Sequence, residues 1–560
     1  MPLPRRAVLV VALLATLPAA FPVGAQETVP RGGKDLPDPA AVLPLDPAVR
    51  TGTLDNGLRY YVRRNARPAD RAELRLVVNA GSVLETEAQL GLAHFVEHMA
   101  FNGTRRFEKQ ALVDVLERSG MRFGAHVNAY TSFDETVYLL RVPTGRRAVV
   151  DTAFMVLEDW AAGIAFDSLE VERERGVVIE EWRLGQGADE RLRAKQMPVL
   201  FADSRYAVRL PIGTRESLER FDHAQLRHFY REWYRPGLMA VVAVGDFDPG
   251  EMEQRIRTGF GTLRNPPAAQ VRAVYPVPIG DTTRVQVASD PELTNSIVNV
   301  YHLQPLRTDT TVAGYRQQLV ETLYNGMLNR RMHEITQRPD APFVAAYSAQ
   351  GRYVRSSEFY ALGAVAREGG VPRALEAVMA EAARVEQHGF TSGELDRVKA
   401  DVLRAYEQAY AERDQQESDA LAAEYVGHFL NGAPAPGVAA EYELVRMLLP
   451  GIAVGEVNVL AREWITNRGR VVLASVPEKA VVAAPDAASL RQAIARGGSE
   501  TVVAYEDVVS DDPLIPTLPV PGRIVATVRD RLLGTTTWTL SNGARVVVKP
   551  TDFKADEVLV

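Results

Sequence analysis

The residues best placed to do chemistry are His94, Glu97 and His98, in the order His-x-x-Glu-His. Histidines four apart share one face of a helix. Glu97, one residue before His98, lies close enough to reach a water held beside them. Two imidazoles, one further carboxylate and an open position make a hydrolytic zinc site. The metal lowers the pKa of its water and polarises a carbonyl, while a carboxylate base takes the water proton and returns it to the leaving amine. Ala93, Phe95, Val96 and Met99 make the surroundings apolar and able to exclude water. The competing reading, two structurally satisfied helix histidines beside a surface glutamate, leaves that apolar setting unexplained. Of the nine histidines in the chain, His223, His228, His302, His333, His388 and His428 show no ligand spacing, and His126 reads more readily as a structural strand residue than as part of a cleft.

A third ligand is expected from the acid-rich stretch between Glu170 and Trp182. Such a run is ordinarily a solvated helix face. Glu174 and Glu181, however, are seven apart and share one face, while Glu180 points elsewhere. One of the aligned pair would ligate the metal and the other would orient a ligand from behind; spacing does not choose between them.

These residues need helices and strands to position them. Residues 91–100 and 168–183 read as helices, and 74–78, 136–142 and 238–244 as strands, the last a continuous apolar run of the buried kind. The expected organisation is a signal segment at 1–25, a Pro- and Asp-rich leader at 26–45, a zinc-binding catalytic domain at 46–265 and a second α+β domain at 280–490. A linker at 491–530 follows, carrying Pro513, Pro516, Pro519 and Pro521. After it the sequence starts again. Leu54-Asp55-Asn56-Gly57-Leu58-Arg59 is echoed by Leu540-Ser541-Asn542-Gly543-Ala544-Arg545, each running into strand-like residues. Residues 531–560 are therefore expected to begin a third, repeat domain that the sequence leaves truncated.

The stretch Gly91-Leu92-Ala93-His94-Phe95-Val96-Glu97-His98-Met99-Ala100-Phe101-Asn102-Gly103-Thr104 resembles the signature of the pitrilysin/insulysin (M16) metallopeptidases, whose inverted zinc motif is H-x-x-E-H. So does Glu174-Arg175-Gly176-Val177-Val178-Ile179-Glu180-Glu181-Trp182. The resemblance implies an α+β fold of repeated two-layer sheet-and-helix domains, paired as a clamshell around peptides. It implies one Zn2+ per chain held by His94, His98 and Glu181, with Glu97 as base and Glu174 supporting. Asn128-Ala129-Tyr130-Thr131-Ser132 resembles the family's edge strand, which makes Asn128, Ala129 and Tyr130 substrate-binding. The family's second half supplies an Arg and a Tyr seven apart. The corresponding positions here are Thr336 and Phe343, and Tyr347 has the wrong spacing. The implied function is a zinc endopeptidase acting on peptides or small unfolded polypeptides, completed by a C-terminal half or partner subunit. The alternative is a peptide-binding or assembly subunit that is inactive without that half.

Composition narrows the rest. With no cysteine, disulfides, thiolate ligands and a cysteine nucleophile are excluded. A net charge of −7 argues against a nucleic-acid partner. Arg5 and Arg6, the apolar run 7–20 and Val23-Gly24-Ala25 read as a cleavable export signal. No later run is long enough to span a bilayer. The protein is expected outside the cytoplasm, in the periplasm if the source is Gram-negative.

Overall fold

A computed structural model describes residues 36–560 apart from 109–110, 308–309, 480–482, 500, 509–512, 514 and 553–557. The expected signal segment lies outside the described residues. The first sheet contains β1 (Val49–Thr53), β2 (Arg59–Arg64), β3 (Arg71–Val78), β4 (Val127–Thr131), β5 (Thr136–Pro143) and β6 (Met239–Gly245), in the spatial order β1-β2-β6-β3-β5-β4. Only β2 and β6 run parallel. All seven residues of β6 are buried, which explains its unbroken apolar sequence: both of its faces are covered. One face meets a helical layer made by α1 (Leu92–Met99), α2 (Ala111–Arg118), α3 (Arg147–Ala162) and α4 (Ser168–Leu184). The other meets the helix Ser418–Asn431, whose Leu421, Tyr425 and Val426 pack against Val242 and Val244.

The second sheet has the order β7 (Arg284–Asp290), β11 (Arg470–Pro477), β8 (Ser296–Pro305), β10 (Ser357–Ala366) and β9 (Phe343–Val354). As β2 does with β6 in the first sheet, β7 pairs in parallel with the last strand, β11, and every other pairing is antiparallel. The two lobes repeat one topology, and β9 holds the edge position that β4 holds in the first. Each lobe lends the other a helix. α5 (Ala188–Leu200) lies on the second sheet, where Arg191 pairs with Asp290 at 2.6 Å and Gln196 bonds Ser475 at 2.9 Å. Ser418–Asn431 returns to the first sheet, its Tyr425 ring stacked on Tyr61 at 5.9 Å.

A three-stranded sheet follows: β12 (Ile524–Asp530), β13 (Thr535–Leu540) and β14 (Arg545–Val548). Its turn is built like the one between β1 and β2. Gly57 N–H donates to Leu54 C=O and Gly543 N–H to Leu540 C=O, at 2.8 and 2.9 Å. Asn56 and Asn542 side chains accept from Leu58 and Ala544 N–H, at 3.2 and 3.1 Å. Both glycines take positive φ, 91° and 84°, which is why Asn-Gly recurs there. Among the described residues no single helix is long and apolar enough to cross a membrane.

Candidate active site

α1 is short, and every residue in it except His98 is buried. It starts at Gly91, whose φ of 88° and close approach to Ile212 and Gly213 leave no space for a side chain. The helix N-terminus is held by Glu85, which accepts from Gly91 N–H at 2.9 Å and Ala93 N–H at 2.8 Å. Glu85 is completely buried. Burial pushes its carboxyl up to about 8 against the pull of those two amides, Arg209 and Arg205.

Four-residue spacing sets the His94 and His98 rings side by side, with centroids 4.6 Å apart. α4, capped by the Asp167 side chain, runs past them. Its Glu181 lies 3.1 Å from His98 Nε2 and 3.9 Å from His94 Nε2. One donor atom from each of His94, His98 and Glu181 falls within 4.8 Å of the others. Glu174, two turns earlier, sits on the far side of the same imidazole: its Oε1 is 2.7 Å from His98 Nδ1. Its Oε2 accepts from Asn102 Nδ2 at 2.7 Å, and that amide also donates to His98 C=O at 3.2 Å. Glu174 thus faces His98 Nδ1 and Glu181 faces Nε2, so each ring nitrogen has its own carboxylate. Burial alone would lower the His98 imidazole; Glu174 and Glu181 overcome it and push it up to about 10. Two carboxylates on one ring thus create a place that favours positive charge.

Glu97 is buried, and its Oε2 accepts from Thr131 Oγ1 at 2.6 Å. Thr131 ends β4, whose one neighbouring strand among the described residues is β5, so that it forms the sheet edge. Arg141 N–H donates to His126 C=O at 2.7 Å and Ser132 N–H to Glu135 C=O at 2.8 Å. Alternation then turns Asn128 and Tyr130 backbone groups toward β5, and those of Val127, Ala129 and Thr131 outward. Val127 is already occupied, its C=O accepting from Gly124 N–H at 2.9 Å. Ala129 N–H is held by Asn128 Oδ1 at 2.9 Å, the contact a peptide carbonyl would make. Of Asn128, Ala129 and Tyr130, only Ala129 therefore turns its backbone to the open edge, joined there by Thr131.

His126 Nδ1 accepts from Arg122 N–H at 3.1 Å, and burial together with Arg122, Arg141 and Arg71 lowers it; it stands apart from the metal-type cluster. Thr336 closes the helix Val312–Thr336 and donates to His333 C=O, while Phe343 is buried in the second core. Tyr347 donates to Asn299 Oδ1 at 2.8 Å. Sequence reasoning gave no role to Thr131, Asn102 or Glu85. Asn102, four residues after His98, carried a signal in its helical spacing.

Two imidazole nitrogens and one carboxylate oxygen are zinc's own donor set. The three donor atoms already lie within 4.8 Å of one another, and Glu174 behind His98 is the usual orienting partner. The residues present fit the ion. Glu174→Gln is expected to weaken zinc affinity about 10–100-fold with the fold intact, measured by competition against a fluorescent chelator. Unchanged affinity would remove the orienting role.

A family model described as "Insulinase (Peptidase family M16)" matches residues 60–197, and "Peptidase M16 inactive domain" matches 220–402. The crystal structure of the first half of the periplasmic protease PqqL from Escherichia coli superposes with a TM-score of 0.78 at 30% identity, covering 83% of this chain and all of that one. The chain belongs to peptidase family M16. Over 513 residues it is 35% identical to an Arabidopsis thaliana M16 relative named "Zinc protease PQQL-like", which covers 91% of this chain and 50% of that protein. The whole E. coli PqqL structure matches with a TM-score of 0.79 and 30% identity over 91% of this chain and 57% of its own. The chain spans about half the length of the curated M16 relatives it matches.

Proposed function

We propose that this chain carries the zinc site of an exported endopeptidase that hydrolyses peptides and small unfolded polypeptides. The observation carrying this reading is the convergence of His94, His98 and Glu181 beside a buried Glu97 at the end of an open sheet edge. A zinc ion bound by these three residues would supply a Lewis acid and an acidified water. Glu97 takes the proton of the attacking water and delivers it to the leaving amine nitrogen. The Thr131 hydroxyl fixes one oxygen of Glu97 at 2.6 Å and so holds the carboxylate in place. The substrate lies along β4 as an added strand, pairing with Ala129 and Thr131, while the Asn128 and Tyr130 side chains flank it from the opposite face. Pairing through backbone makes the reaction tolerant of side chains, so selection falls to peptide length.

Sequence in the remainder of the protein, or a partner subunit, completes the site, because Thr336 and Phe343 offer neither a guanidinium nor a phenol. That departure also favours a second reading for this portion alone, binding of peptide without cleavage. Export is supported by the charged and apolar start of the sequence and by the periplasmic location named for the E. coli relative.

The test is incubation of the full-length protein with unstructured peptides of graded length, followed by mass spectrometry. Internal cleavage that disappears on chelation and returns with zinc is expected. Turnover indifferent to chelation, or release of terminal residues alone, would overturn the reading. Binding without turnover would establish the second one.

A further inference from the structure

The turn between β4 and β5, residues 132–135, follows directly on the residue that holds Glu97. It is gripped from the second lobe. Asp134 is 4% exposed, and its carboxylate accepts from Arg355 N–H at 3.1 Å, Arg272 at 3.0 Å and the Tyr206 hydroxyl at 3.2 Å. The Arg355 guanidinium, from the tip between β9 and β10, reaches Glu135 Oε2 at 2.7 Å, Asp134 C=O at 3.3 Å and the Asn79 side chain. Two guanidinium groups thus face two carboxylates in a largely buried knot. Removing one partner would leave an uncompensated charge that the turn must move to solvate.

The turn has no slack on its other side. A Cβ on Gly81 would stand 2.4 Å from Ser132 O. Ser82 N–H donates to Ser132 C=O at 3.2 Å and Val83 N–H to Phe133 C=O at 2.8 Å. Two residues beyond Val83 stands Glu85, the cap of α1. Displacement of the turn therefore reaches the reacting groups by two short routes: through Thr131 to the Glu97 carboxylate, and through residues 81–85 to the helix that carries it.

We propose that Arg355 is a positioning residue for peptide hydrolysis, acting through residues 132–135 and Thr131 on Glu97. This rests on the peptidase reading above, and it gives the lobe that lacks a metal motif a part in the chemistry. A general base misplaced by an ångström loses up to about 100-fold in rate. In the full-length zinc-loaded protein, Arg355→Met is expected to lower kcat about 10–100-fold, with KM and zinc content near wild type. Arg355→Lys, which keeps the Glu135 contact but loses the fork, is expected in between.

Thr131→Val removes the hydroxyl at constant volume and supplies the discriminating measurement. If Arg355 acts through Thr131, the double variant loses no more kcat than the worse single one. Losses that multiply would show two independent effects and overturn the proposal, as would wild-type kcat in Arg355→Met. Should Arg355→Met fail to fold, Arg355→Lys enters the same cycle with the same two outcomes. Glu97→Gln and zinc chelation are run alongside: wild-type turnover indifferent to chelation sinks the peptidase reading itself, an active Glu97→Gln removes the general base on which Arg355 would act and overturns the proposal, and an inactive Glu97→Gln beside multiplying Arg355 losses sinks only the positioning role.

Discussion

Glu97→Gln is expected to lower kcat for peptide hydrolysis by about 10³–10⁴-fold, the upper part of what a positioned acid–base group contributes. The upper part applies because one carboxylate serves twice, first taking the water proton and then protonating the amine. The glutamine side chain keeps the volume and still accepts from the Thr131 hydroxyl, so packing around this buried position changes little. It is not one of the three donors gathered at the metal-type cluster, so zinc content should stay at one per chain. The check is steady-state turnover beside elemental analysis on one preparation. A loss of less than about ten-fold would hand the proton transfer to another group.

Removing a ligand should act differently. His98→Ala deletes both the Nε2 donor and the group that Glu174 orients, so zinc retention and turnover should fall together to background. The His98 side chain is 19% exposed, His98 being the one residue of α1 that is not buried, and the core is supplied by its buried neighbours. The apo fold should therefore survive. Thermal unfolding with and without zinc reads this directly, since a ligand that binds only the folded state stabilises it by RT ln(1 + [L]/Kd), about 2.7 kcal/mol at 100-fold excess over Kd. Wild type is expected to gain that stability. His98→Ala and Glu181→Gln are expected to gain far less, with Glu181→Gln keeping two imidazoles and falling between. An equal zinc-dependent gain in His98→Ala would place the ion elsewhere.

Much of this site was legible in the sequence because it rests on local periodicity. The i, i+4 spacing put both histidines on one helix face, and seven-residue spacing put Glu174 and Glu181 on another. What spacing could not decide was which acid joins the two histidines. Residues seven apart on a helix lie about 10.5 Å apart along its axis, so the crossing of α4 over α1 makes the choice. It gives His98 Nδ1 to Glu174 and Nε2 to Glu181. Crossings are tertiary facts. The edge strand was legible as a strand, but period-two alternation assigns its backbone only once the partner strand's register is known. Of the expected Asn128, Ala129 and Tyr130, the pairing turns the backbone of Ala129 to the open edge, with Thr131 beside it.

Long-range partners were least visible. Thr131 lies 34 residues from Glu97, and Arg355 lies 221 from Asp134. Nothing local marks either. The helix exchange between lobes has the same character: nothing within α5 or Ser418–Asn431 marks the other lobe's sheet as its partner. The repeated Asn-Gly turn was readable because its chemistry is contained in five residues, and Gly57 and Gly543 adopt it alike.

The measurement closest to the centre of this account is the zinc X-ray absorption spectrum of the protein, beside that of Glu97→Gln. The account predicts one zinc with two imidazole nitrogens and oxygen ligands at about 2.0–2.2 Å, the same in both proteins, and no turnover in the second. A spectrum without imidazole scattering, or one that Glu97→Gln changes, would contradict it.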